Sequence, residues 1–300
     1  MARIPVVLLF VITLSANLVG GLTRTYYSKH ISSSMQGYHL FNAVSSIVCG
    51  AVLLLLSGGN FSLSAYTVWM AVLFGIITAA QQITHSAALS AGPWSYTSVI
   101  ISMSTVITAL SGVLFFSESI RLTQIFGIAL MLVCLVLSVK QESGERRKKS
   151  LRWFLWCIIS CICSGGVGIM QKIHQSSEHR GELTMFLIIA FIGSFLFSAG
   201  NLLIGKFHTD DKKEPLITAN ASAVLLTVLF CAAGIGVALN NLINLYLSGV
   251  VESAVFFPIV NGGGLVLITI ASLIFFREKL TGRQWTGMAF GTAAVLLLCL

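Results

Sequence analysis

Charge is what this sequence has least of. Only 9% of its 300 residues are Asp, Glu, Lys or Arg, ten of them acidic, while 56% are hydrophobic. A soluble domain of that length needs far more surface charge, so that class is excluded. Proline is scarce, at four residues, and no polar stretch is long enough for a separate soluble domain. Short alternating segments of the kind a membrane β-barrel needs are missing. HExxH, GxSxG and paired Asp residues within apolar runs are also missing, so the usual enzymatic motifs have no foothold and no cofactor motif stands out. Neither a selectivity filter nor a charged ring suggests a channel.

What is present is a succession of apolar runs of about 20 residues, the length that spans a bilayer core. Ten are expected, at roughly 4–22, 37–57, 65–90, 93–117, 122–140, 151–171, 183–205, 220–247, 250–276 and 282–300. Each must be helical, because lipid offers no partner to unpaired backbone groups. The expectation is an all-α integral membrane protein with ten transmembrane helices and the lipid bilayer as its first partner. All seven cysteines fall within these runs, where they serve as small packing residues. Cys157 and Cys161 share a helix face, but no nearby Asp or His completes a tetrahedral metal set.

The net charge of +8 reads as topology, and nucleic acid is not an expected partner. A dense basic run, Arg146 to Lys149, separates the fifth and sixth spans, flanked by Lys140 and Arg152. If that loop is cytoplasmic, its side also holds Arg24, Lys29, Lys206, Lys212, Lys213, Arg277, Lys279 and Arg283. Arg3, Arg121, Lys172 and Arg180 remain opposite. Both termini are then expected outside, in a multi-pass plasma-membrane protein, with a bacterial inner membrane as the setting. The opening MARIPVVLLFVITLSANLVGG has the look of a signal peptide. Its end, SANLVGGLTR (15–24), nevertheless matches CSGGVGIMQK (163–172), so the segment is read as a retained span.

That match is one of three between the halves. Leu89-Ser90-Ala91 corresponds to Leu247-Ser248-Gly249. FFSESIRLTQIFG (115–127) corresponds to FFREKLTGRQWTG (275–287), 160 residues apart. The expected organisation is a first five-helix repeat at 1–140, a basic linker at 141–150 and a second repeat at 151–300. Five is odd, so the second copy enters the membrane inverted, a signature of secondary transporters.

Two five-helix halves, each closing with a Glu-bearing turn (FFSES, FFREK) and a last helix carrying Gln then Gly, resemble the drug/metabolite transporter superfamily, and within it the EamA-like members. The resemblance covers essentially the whole chain. It implies a ten-helix fold, alternating access and a central cavity lined mainly by spans 1, 3, 4, 6, 8 and 9. It also implies export of a small solute such as an amino acid, another metabolite, a drug or a nucleotide sugar. Glu118 and Glu278 match the family's turn. A carboxylate there suits the positive end of the following helix, and Thr281 to Gln284 has capping-box spacing.

Polar residues inside spans are costly and therefore informative. Gln81, Gln82 and His85 on span three are the repeat equivalents of Asn240, Asn241 and Asn244 on span eight. Spacings of four put 81 with 85, and 240 with 244, on one helix face. Amides can hold a neutral or zwitterionic solute by hydrogen bonds, and they can equally join helices. Asn17 in glycine-rich span one and Asn261 in span nine extend the set, and Pro258 with Gly262 to Gly264 reads as a bendable or closely packed segment. Trp94 and Tyr96 fit either an aromatic belt or a stacking surface. Glu252 is the one acid near a span interior, either an interfacial carboxylate or a site for a substrate amine or coupling proton. Arg24 and Lys172, at equivalent span ends, read as snorkelling cations or as recruiters of an anionic group.

The expected function is a secondary transporter, an exporter of a small organic metabolite and not an enzyme, acting as monomer or homodimer without a cofactor or metal. Proton coupling, facilitation and exchange stay open. The rival readings are a lipid or lipid-linked sugar flippase and, further off, a membrane-embedded enzyme.

Overall fold

The computed structural model describes residues 5–59, 61–116, 121–138, 145–208, 216–217, 221–277 and 282–299. Glu118 and Glu278, the acids of the paired turns, lie outside them. Helices account for nearly all the described chain, with no strand among these residues. In order they are α1 (Val6–Tyr26), α2 (Met35–Leu56), α3 (Ala65–Ala91), α4 (Trp94–Ser102), α5 (Ser104–Phe116), α6 (Leu122–Ser138), α7 (Glu145–Gln175), α8 (Leu183–His208), α9 (Ala223–Val250), α10 (Ser253–Phe275) and α11 (Gly282–Cys299).

Among the described residues eight stretches are long and apolar enough to cross a membrane. The helices over the expected fifth and tenth spans, α6 and α11, are shorter, at 17 and 18 residues, and pack on each other. Large apolar side chains such as Leu55, Trp69, Leu114 and Phe115 stand fully out on the surface. In water such a skin would drive aggregation; in a bilayer it meets hydrocarbon. The chain is a multi-pass membrane protein.

Helix starts follow local chemistry. Ser34, Ser64 and Ser222 each accept a hydrogen bond from the backbone N–H three residues on, at 3.0, 3.2 and 3.2 Å, capping α2, α3 and α9. Gly92-Pro93 separates α3 from α4, since proline cannot continue the helix before it.

Three boundaries differ from the sequence expectation. Span one does not stop near residue 22: a π-helical turn, Tyr27–Ile31, carries it on to Ile31, with the Ser32 N–H donating to the Tyr27 carbonyl at 3.0 Å. The polar string TRTYYSKH reads as loop, but Tyr27 is fully buried against Phe41 and Phe230 and holds the segment in the fold. α7 starts at Glu145, inside the expected linker. The break falls in span four, at Met103 between α4 and α5, while α10 runs unbroken through Pro258. Around Met103 the Ser102 hydroxyl donates to the Ser98 carbonyl and that of Thr108 to the Ser104 carbonyl, side-chain bonding that bends helices.

The helices pair across the two halves. α1 lies on α9 and α3 on α7; α2 lies on α8 and α6 on α11. α10 rests on α1 and on α4 and α5, while α7 touches α4 and α5 in its turn. Small residues permit the closest of these approaches. A Cβ at Gly236 of α9 would sit 2.8 Å from the Ala16 carbonyl oxygen and 3.2 Å from the Gly20 nitrogen of α1. One at Gly75 of α3 would collide with the Ala190 carbonyl of α8.

Candidate functional site

Between these pairs lies a cavity of about 200 Å³. Its walls come from α1, α3 and α4–α5 in the first half and from α7, α9 and α10 in the second. On α1 the contributing residues include Asn17, Gly20 and Arg24, continuing the face that starts with Thr13, since steps of three or four keep to one side of a helix. On α3 they are Thr78, Gln81, Gln82 and His85, and on α9 Gly236, Val237, Asn240, Asn241 and Asn244. Asn261 and Gly264 contribute from α10, and Ser164, Gly168 and Gln171 from α7. Glycine at 264 leaves room for Asn17, whose Nδ2 would stand 3.3 Å from a Cβ there.

One end of the cavity is a closed hydrogen-bond network. Thr13 Oγ1 donates to Asn244 Oδ1 at 2.8 Å, and Asn244 Nδ2 donates to Asn240 Oδ1 at 3.1 Å. Asn240 Nδ2 returns to Thr13, donating to Oγ1 at 3.1 Å and to the carbonyl at 3.3 Å. Asn241 donates to the Val237 carbonyl at 2.9 Å and accepts from Gln171 Nε2 at 3.5 Å. Asn261 Nδ2 donates to Thr105 Oγ1 at 2.8 Å, tying α10 to α5. These amides therefore join helices while they line the cavity.

The other end is different. Gln82 Oε1, His85 Nε2 and Arg24 Nε are all buried without a hydrogen-bond partner. Arg24 is 6% exposed, and its guanidinium carbon stands 5.9 Å from the centre of the Phe41 ring.

Three expected site residues are not in the cavity. Trp94 is fully buried behind it, its ring against Gly21 of α1 and edge-on to Phe276 at 5.5 Å. It therefore faces neither cargo space nor lipid. Tyr96 packs beside Ile100, Trp153 and Cys157. Glu252 is exposed just before α10, because that helix begins at Ser253 and leaves the carboxylate beyond its first turn. Lys172, half-buried, stands 6.0 Å from the Phe116 ring, and its neighbour Gln171 takes the place on the cavity wall.

From the sequence Arg24, at an expected span end, reads either as a snorkelling cation or as a recruiter of an anionic group. The π-helical continuation to Ile31 sets it instead about 10 Å inside the helix end, at 1.5 Å per residue. Its seven-residue spacing from Asn17 was the available signal, since both then share one face.

A polar cavity between membrane-crossing helices is the geometry a carrier requires. The comparisons with known proteins agree. A model of the EamA-like transporter family matches residues 151–300, and the chain belongs to that family, which consists of membrane transporters of the drug/metabolite type rather than enzymes. A protein described only as a crystal structure of a protein superposes on 97% of this chain and 98% of its own, with a TM-score of 0.64 and 12% sequence identity. At that identity the likeness speaks for the fold alone. None of the curated proteins matches this chain at a significant level.

Proposed function

We propose that this protein is a ten-helix secondary transporter that exports a small organic metabolite by alternating access, its two halves being inverted five-helix repeats. The observation that carries this reading is the origin of the cavity walls: three helical spans of one half face three of the other. Reciprocal pairing supports the repeat. Under the proposed correspondence, α1 on α9 becomes α7 on α3, and α1 on α10 becomes α7 on α4 and α5. Such symmetry lets two similar halves exchange conformations, so that one cavity opens to either face. At about 200 Å³ the cavity is smaller than the roughly 300–1,000 Å³ of pockets for drug-sized ligands, which favours a small metabolite.

The test is counterflow in proteoliposomes of the purified full chain, using amino acids, organic acids, amines and nucleosides. Saturable exchange of at least one soluble solute is expected. If no soluble solute moves and fluorescent lipids cross the bilayer instead, the flippase reading replaces it.

A further inference from the structure

Arg24 is the sole charged side chain of the described residues that lines the cavity. A guanidinium keeps its proton in any protein environment, so it cannot escape burial by becoming neutral. Burying such a charge without a counter-ion is costly. None of the described residues supplies one: Arg24 makes no ion pair or hydrogen bond with them, and the Phe41 ring faces the cation. The acids whose side chains are described lie elsewhere. Glu178 and Glu252 are exposed, and Glu182 is engaged by the hydroxyl and backbone N–H of Ser64 at 2.8 and 3.0 Å.

From this we infer that the cavity is built for an organic anion, with the cargo's carboxylate or phosphate seated on Arg24. The inference rests on the carrier reading and names its cargo class. Its second support is the uneven saturation of the walls. The asparagine ring around Thr13 uses its donors and acceptors internally, whereas on the α3 face that lines the cavity with Arg24 two buried atoms have nothing to bond: His85 Nε2, which as an N–H donates to an anion, and Gln82 Oε1, which accepts from a hydroxyl of the cargo. Thr13 and Arg24 lie about 16 Å apart along α1, at 1.5 Å per residue. The charged group of the cargo therefore belongs at the Arg24 end and its neutral polar body toward the asparagines. A zwitterion would bring an ammonium that no carboxylate in the described lining receives, so solutes of net negative charge rank above neutral amino acids.

The test is thermal stabilisation of the full chain in phosphatidylcholine nanodiscs. The probes are benzoate, 2-oxoglutarate and phosphoenolpyruvate, compared with leucine, glucose and ethanolamine at millimolar concentration. At least one anion is expected to stabilise the protein more than any neutral, zwitterionic or cationic probe. Arg24→Gln should weaken that anion by about tenfold or more, the loss of a hydrogen-bonded buried charge, while Arg24→Lys keeps the preference at reduced affinity. The empty Arg24→Gln protein should melt at a higher temperature than the wild type, because an uncompensated buried charge has gone. A purely structural arginine would give the opposite shift. Preference for a neutral or cationic solute, an unchanged anion affinity in Arg24→Gln, or no response to any anion would each overturn the inference. Where Arg24→Gln does not fold, Arg24→Lys decides alone, and unchanged affinity counts against it. Counterflow of a neutral solute that is indifferent to Arg24 leaves the carrier reading standing and removes the anion. An Arg24-dependent response to phosphatidic acid in the nanodisc, with none to soluble anions, keeps the anion site but turns its source into a lipid headgroup and removes the carrier reading.

Discussion

Asn17 and Asn240 line the same cavity yet stand in opposite relations to the fold. Asn240 is committed to Thr13 and Asn244, whereas Asn17 makes no hydrogen bond with the described residues. Asn240→Ala is therefore expected to lower stability in detergent by about 1 kcal/mol, the scale of an interhelical hydrogen bond in a membrane. Asn17→Ala should leave the melting temperature in place and change solute affinity in the counterflow assay. A reversed pattern would mean that the roles are exchanged. Glu252, exposed ahead of α10, marks the other limit. Glu252→Gln should keep counterflow within about twofold of wild type, as surface substitutions generally do. A large loss would return that carboxylate to the transport path. At this scale the sequence was readable only in part. Residue type and helical spacing pointed to the amides, but the side of a bilayer helix that faces a cavity is set by its neighbours. Trp94 shows the gap: an aromatic at a helix start fits a belt, and only the groove at Gly21 draws it inside.

Elements were legible where hydrophobicity alone defines them and blurred where polar residues are held by packing. α3 and α9 lie close to the expected spans, each starting where a serine, Ser64 or Ser222, caps the first turn. Span one, with its π-helical turn to Ile31, exceeded its expected end by nine residues, since Tyr27 finds Phe41 and Phe230 in the tertiary structure. Close contact between elements leads to a further expectation. Gly236→Val places a branched side chain where the Ala16 carbonyl of α1 stands, 2.8 Å from the new Cβ. The helices must separate, at a cost of about 1–3 kcal/mol for an overpacked contact. A thermal melt of the solubilised protein measures it, and an unchanged midpoint would show that α1 can slide away freely. Because Gly236 itself lines the cavity, solute affinity should fall in parallel.

The molecule as a whole is arranged by pairs, α1 with α9 and α3 with α7, so each side of the cavity joins one half to the other. Orientation belongs to this scale. Burying Arg24 removes one cation from the loops expected on the cytoplasmic side, but the cluster at 146–149 and its companions still outnumber the four opposite. With positive charge kept inside, both termini are expected outside. An alkaline phosphatase fused to the C-terminus should be active, and an inactive fusion would invert the arrangement or change the number of spans.

By itself the sequence determined the class of protein, the approximate course of the helices and the candidate polar residues. Those follow from local requirements: each bilayer-crossing segment must satisfy its own backbone and present an apolar surface, and both are written in consecutive residues. Only the tertiary structure decided which polar groups meet, which are satisfied and which are left facing empty space. Thr13 reaches Asn244 across 231 positions of chain, and Arg24 enters the cavity because Tyr27 is buried elsewhere in the fold. Contacts of that kind depend on how helices rotate against partners remote in sequence, and no stretch of neighbouring residues encodes them.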